Sequence, residues 1–189
     1  MIGKKRAKLL FSVFTAILAV DIISKWVVGS FLPLMQKGLL PFPYGGFAVF
    51  QDFVGINFSI NHQTNTGAAW GIFPNSTQTL LYIRIAIIGV LLLYTLFFNP
   101  NRRTQIPFIL IITGAVGNVL DTLFYGHVID MFFVELWGYD FPVFNVADSF
   151  IFIGVAWLCL INLSRDKRAD YKNSSSEPND FDSPPPTDN

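Results

Sequence analysis

Charge is what this chain has least of. Only 14% of its 189 residues are Asp, Glu, Lys or Arg, where a soluble globular domain carries about 25%. Beside 52% hydrophobic residues and a mean hydropathy of +0.47, that shortage excludes a disordered chain and argues against an ordinary soluble enzyme. Neither sign is in excess, because 13 basic residues balance 13 acidic ones. No basic surplus points to a nucleic acid. Cysteine is nearly absent: Cys159 stands alone, which excludes an internal disulfide framework and a multi-cysteine zinc site. The two histidines, His62 and His127, have no HExxH spacing, and no GxSxG occurs. No metal and no cofactor is expected.

What is abundant is apolar length. Residues 9–31, 80–98, 106–124 and 146–163 are four stretches dominated by aliphatic and aromatic side chains. A spanning helix needs about 20 such residues, with a range of about 17–25, and all four qualify. Ten of the 13 basic residues flank them at three places: Lys4, Lys5, Arg6 and Lys8; Arg102 and Arg103; and Arg165, Lys167, Arg168 and Lys172. Four spans put all three places on one side, and the positive-inside rule makes that side the cytoplasm. The basic start and first apolar run also fit a cleaved signal peptide. However, no small-x-small cleavage site follows, and the run resumes through Trp26, Val27 and Val28. It therefore reads as a retained span. Residues 1–163 form the membrane domain. Residues 164–189, with Ser174-Ser175-Ser176 and Pro184-Pro185-Pro186, lack apolar periodicity and predict a disordered cytoplasmic tail.

The long outer connection, 32–79, is broken early by Pro33, Pro41, Pro43, Gly45 and Gly46. Residues 47–60 then mix aromatic and β-branched side chains with partial alternation, which predicts one or two strands. A short interfacial helix is expected after Trp70. The fold class is thus an all-α integral membrane protein: a four-transmembrane-helix bundle, N-in/C-in, with a small β-rich extracytoplasmic cap.

Several polar groups interrupt this pattern. Asp21 and Lys25 lie past the midpoint of the first span, Asn118 and Asp121 near the end of the third, and Asp148 at the start of the fourth. On the N-in topology all fall toward the outer leaflet. Asn65, Asp130 and Asn145 lie in the adjoining outer loops. A charge at the centre of a spanning helix costs about 2.5–3.5 kcal/mol on the insertion scale, and such groups usually face the bundle interior and mark a site. Taken singly, each is accounted for by wetting at the headgroups. Asp140 reads as a residue in water, Arg84 as a snorkelling side chain, Lys25 as a snorkeller or a partner of Asp21 one turn away, and Cys159 as helix packing. Wetting is a poorer account of Asp121, Asp130 and Asp148 together. Two aspartates sharing one proton can activate water and protonate a leaving amine, because like charges at short range split their pKa values.

These residues fall within five motifs: Asp21-Ile22-Ile23-Ser24-Lys25, Asn65-Thr66-Gly67-Ala68-Ala69-Trp70, Gly114-Ala115-Val116-Gly117-Asn118-Val119-Leu120-Asp121, Gly126-His127-Val128-Ile129-Asp130 and Phe141-Pro142-Val143-Phe144-Asn145-Val146-Ala147-Asp148-Ser149. In that order, across about residues 9–163, the chain resembles the lipoprotein signal peptidases (signal peptidase II), aspartic peptidases of the bacterial inner membrane. The resemblance implies cleavage of diacylglyceryl-modified prolipoproteins just before the lipid-bearing cysteine, with Asp130 and Asp148 as the catalytic dyad. It implies supporting or substrate-binding roles for Asn65, Asn118, Asp121 and Asn145, and structural or orienting roles for Asp21 and Lys25. Gly67, Ala68, Gly114 and Gly117 would permit close approach of backbone or helix; for Gly114, ordinary helix packing is an equal reading. The implied partners are the lipidated precursor, membrane lipid and a globomycin-type inhibitor, for an enzyme expected to be a monomer.

Three departures from the family pattern stand out. Thr122 occupies the position that usually carries Arg, Thr113-Gly114 replaces two glycines, and the stretch before Asn65 is longer than usual. None touches the two aspartates. Two competing functions follow from the same residues. A proton- or ion-conducting protein should spread its ionisable groups over several depths, whereas here they cluster at one face. A binding-only homologue is the reading that the change at Thr122 suggests.

Overall fold

Each apolar stretch becomes a helix, and polar residues at its ends extend it beyond what hydropathy marks. The computed structural model describes residues 3–66, 77–99 and 101–174. Helix α1 is Lys4–Phe31, α2 is Thr77–Leu93, α3 is Arg102–Tyr125 and α4 is Val146–Ser174. A π-helical turn, Tyr94–Phe98, carries α2 on to a short connection to α3. All four helices contain a segment long and apolar enough to cross a membrane. Helix α3 is central: 61% of its apolar window is buried, against 17%, 6% and 11% for α1, α2 and α4. Large apolar side chains such as Phe11, Val90, Phe97 and Phe152 accordingly point away from the protein, as the outer surface of a membrane bundle must.

Between the helices lies a four-stranded antiparallel sheet in the order β1 (Phe47–Phe53), β2 (Ile56–Asn65), β3 (Val128–Leu136) and β4 (Tyr139–Phe144). The all-α class is therefore corrected to helices plus a sheet. Strands β1 and β2 fall where residues 47–60 predicted them. Strands β3 and β4 fall in what read as an outer loop. The cause is burial: the first half of β3, Val-Ile-Asp-Met, is buried at every position, so no alternation of polar and apolar residues advertises it. The long β2–β3 ladder aligns Asn65 with Val128 and Gln63 with Asp130.

Two further expectations change. Helix α4 continues to Ser174, so the first part of the expected disordered tail is helical, and residues 175–189 lie outside the described residues. Once a helix is nucleated, each added residue costs little, and Arg, Lys and Ala in this stretch are good helix formers. Cys159 is exposed on the outside of the bundle and does not pack between helices. The expected interfacial helix after Trp70, together with Gly67 and Ala68, lies outside the described residues.

Helices α3 and α4 pack closely through glycine. A Cβ at Gly114 would collide with the backbone oxygen of Ala147, and one at Gly154 would come within 2.7 Å of the Pro107 oxygen. Gly114 is thus a packing residue. Helix α3 stops at Gly126, whose φ of 74° is the left-handed conformation that glycine adopts without penalty, with its N–H on the Thr122 oxygen at 3.1 Å. The chain then turns straight into β3. Beneath the sheet, Val28 from the top of α1 packs with Ile129 and Met131, flanked by Leu32, Ile60 and Phe132.

Candidate active site

The site is built from three tiers of polar side chains. The lowest is centred on Lys25. Its ammonium lies 2.8 Å from Asp21 Oδ2 and 2.7 Å from Asp121 Oδ2 and donates to Asn118 Oδ1 at 3.1 Å. Lys25 and Asp21 are each 1% exposed and Asp121 is 4% exposed, which overturns both the snorkelling reading of Lys25 and the headgroup-wetting reading of Asp21. The other carboxylate contacts reach the backbone. The Ala147 N–H in the first turn of α4 donates to Asp21 Oδ1 at 2.9 Å, and the Ile129 N–H of β3 donates to Asp121 Oδ2 at 3.3 Å. The former is one of the N–H groups a helix start leaves without a partner inside the helix. One buried cation thereby ties α1, α3, β3 and α4 together. Gly117 makes room for it, since a Cβ there would strike Asp21 Oδ2.

Asn118 and Asn145 form the middle tier. Asn118 Oδ1 accepts from Lys25 and from Asn145 Nδ2, while its own Nδ2 donates to Asp148 Oδ1 at 2.7 Å. Asn145 caps α4: its Oδ1 accepts the Asp148 N–H at 2.9 Å, and Asp148 Oδ2 accepts the Asn145 N–H at 3.2 Å. This reciprocal pair follows the pattern of a capping box. The Asn145 amide also reaches the other way, donating to Asp130 Oδ1 at 2.8 Å.

The top tier holds the two carboxyl groups that this scaffold brings together. Asp130 lies on β3, buried to 2% exposure, with Oδ2 accepting from Asn65 Nδ2 at 3.0 Å across the β2–β3 ladder. Asp148 lies in the first turn of α4 and is half-buried. Burial foremost, and then the Asp148 charge, push the Asp130 carboxyl up to about 7; hydrogen bonds from Asn65 and Asn145 pull it back. Asp130, Asp148, Asn65 and Asn118 all line one cavity of about 1280 Å³. It is larger than the roughly 300–1,000 Å³ of small-molecule pockets. One wall is apolar, with Ile151, Phe152 and Val155 of α4, and the other end holds Gln63, Lys37 and Asp140.

Asp21, Lys25, Asn65, Asn118, Asp121, Asp130, Asn145 and Asp148 all join this cluster, and Gly67 lies outside the described residues. Three residues given no site role in the sequence lie beside the cluster. Asp140, expected in water, pairs with Lys37 at the rim. Arg84 lines the cavity; the signal for it was a lone charge in the second apolar stretch. Thr122 sends its hydroxyl to the Asn118 carbonyl at 2.9 Å on its own helix. Among the described residues, no group of three or more His, Cys, Asp or Glu side chains is disposed to hold a metal ion.

Comparison with known proteins identifies the family and the fold. The pattern of the signal peptidase (SPase) II family matches residues 13–164. A lipoprotein signal peptidase of Staphylococcus haemolyticus is 34% identical over 152 residues, covering 80% of this chain and 87% of the relative. One from Staphylococcus aureus is 34% identical over 161 residues, 84% and 88% of the two chains. A bacterial membrane enzyme structure determined by the in meso method at 2.3 Å resolution superposes with a TM-score of 0.69 at 26% identity, covering 91% of this chain and 93% of that one. Four spanning-length helices, a buried polar cluster with two neighbouring carboxyl groups, and a family match across most of the chain lead to one conclusion: the chain belongs to the signal peptidase II family, integral membrane proteases of bacteria that cleave signal peptides from prolipoproteins.

Proposed function

We propose that Asp130 and Asp148 are the catalytic dyad of an aspartic endopeptidase, which cuts diacylglyceryl-modified prolipoproteins at the bond before the lipidated cysteine. The observation that carries this reading is Asn145, which donates one N–H to each carboxyl group and so holds them on one cavity wall. Asp130, the more deeply buried of the two, carries the shared proton and polarises the scissile carbonyl. Asp148 takes a proton from water as the oxygen attaches to the carbonyl carbon. Collapse of the tetrahedral intermediate breaks the C–N bond, and the proton taken from water passes to the leaving amine. Asn65, Asn118 and Asn145 fix the two carboxyl groups, while Asp21, Lys25 and Asp121 hold the helices beneath them. Gly67 belongs with the substrate-binding residues.

The same reading sets the orientation. Lys4, Lys5, Arg102 and Arg103 lie where α1 and α3 begin, and the sheet lies where those helices end. With the basic ends in the cytoplasm, the sheet and the dyad face the extracytoplasmic side of the inner membrane, the depth at which a lipid-anchored precursor presents its cleavage bond. The enzyme acts as a monomer, with lipid and a globomycin-type inhibitor competing for the same cavity.

The test is turnover of a diacylglyceryl-prolipoprotein by purified protein, with and without globomycin. Asp130→Asn and Asp148→Asn should each insert normally in the membrane and lose at least about 10²–10⁴-fold in rate, the share that a positioned acid or base supplies. Near-normal turnover in either variant rejects the dyad.

A further inference from the structure

Helix α2 is the least buried of the four spans, and Arg84 is its one charged residue. Arg84 sits about two turns inside α2, on the way to the helix centre, where an arginine costs about 2.5–3.5 kcal/mol on the insertion scale. It persists where it faces a cavity with work to do. Arg84 is half-buried and lines the same cavity as Asp130 and Asp148. Its depth follows from the helices. Phe98 and Arg102 are level because a short connection joins them. Measured from there at about 1.5 Å per residue, Asn118 stands about 24 Å along α3 and Arg84 about 21 Å along α2. Asn118 is bonded to Asp148, so Arg84 stands at nearly the same depth as the dyad. Its side chain, like every helical side chain, leans toward the N-terminus of its helix, which here is the end nearer the dyad.

We propose that Arg84 is a specificity residue that binds the ester carbonyl oxygens of the precursor's diacylglyceryl group; this rests on the substrate reading above. The choice of acceptor follows from what sets this substrate apart. A signal segment crossing the bilayer satisfies its backbone carbonyls within its helix up to the last turn, whose free carbonyls lead to the scissile bond. The scissile carbonyl belongs to the dyad. The two glyceryl esters are the acceptors at this depth that only the lipidated precursor carries. They sit within a few bonds of the reacting cysteine, beside the apolar wall of Ile151, Phe152 and Val155 that takes acyl chains. A guanidinium carries five N–H donors in a planar fork, so it can hold both esters while keeping protein contacts.

The experiment compares two precursors, one carrying the diacylglyceryl ester and one the dialkylglyceryl ether, which has the same chains without carbonyl oxygens. Wild type should cleave the ester form with a kcat/KM at least tenfold above the ether form, mainly through KM. Arg84→Met should lower kcat/KM for the ester form to the ether level and leave the ether rate unchanged; Arg84→Lys should restore part of the preference. Equal losses on both substrates in Arg84→Met, or no ester preference in wild type, would overturn the assignment while leaving the dyad untouched. Failure of wild type to cleave the ester precursor at all would count against the dyad itself.

Discussion

At Lys25 a single ammonium serves two carboxylates in a space closed to water, and the neighbouring asparagines pass its influence on. Breaking a buried ion pair by removing one partner costs about 3–5 kcal/mol. Lys25→Met, which strands Asp21 and Asp121 together, should lower stability by that amount, read as a fall in the melting temperature of the detergent-solubilised protein. A loss below about 1 kcal/mol would mean that the cluster is wet. The Asp130 proton gives a second expectation. Raised to about 7, it leaves as pH rises through neutrality, so kcat/KM should fall on the alkaline side of about 7. Asn65→Ala removes a hydrogen bond that lowers this value, so the alkaline limb should move to higher pH. A limb that stays in place would separate it from Asp130. Asp21, Lys25, Asn118, Asp121 and Asp148 are legible in the sequence because a polar group inside an apolar run is costly and therefore rare, whereas Asn65, Asp130 and Asn145, outside those runs, are legible only through their motifs. Arg84 is visible on the same grounds, but a lone charge near the outer end of a span reads equally as a snorkelling side chain, since its helix carries no second charged residue.

Among the elements, the spans were read from composition to within a few residues, because length and hydropathy are all that a bilayer demands. Their ends were read less well. Helix α1 starts at Lys4 and α4 continues to Ser174, since helical hydrogen bonding does not stop where hydropathy does. Strands β3 and β4 escape a sequence reading for two reasons: burial removes the alternation that reveals β3, and Pro142 inside the short, half-exposed β4 argues against a strand. The packing of α3 on α4 could not be read in advance either, because a glycine in a helix looks alike whether it meets a backbone or lipid. Gly114→Ala and Gly154→Ala, which press a methyl group against backbone oxygens, should each destabilise by about 1–3 kcal/mol. Gly89→Ala, with nothing within 4 Å, should be neutral or gain up to about 1 kcal/mol of helix propensity. Thermal unfolding of the three variants checks the contrast, and equal effects would refute the close approach of α3 and α4.

For the whole molecule, the topology is the property most open to a direct check. In a Cys159→Ser background, Leu39→Cys, exposed near the sheet, should react with a membrane-impermeant thiol reagent on intact spheroplasts. Lys5→Cys should react only after the membrane is breached. The reverse pattern would invert the orientation. The connection between α3 and α4 has a consequence for how such a chain can vary. Both acids of the proposed dyad sit at the roots of one β-hairpin, Asp130 just after Gly126 and Asp148 just after Asn145. Residues gained or lost in pairs at the hairpin tip, near Trp137 and Gly138, lengthen or shorten the ladder without altering the gap between its roots. A single residue gained between Gly126 and Asp130 would turn that carboxyl to the opposite face of the sheet. Divergence in length is therefore cheap at the tip and ruinous at the base.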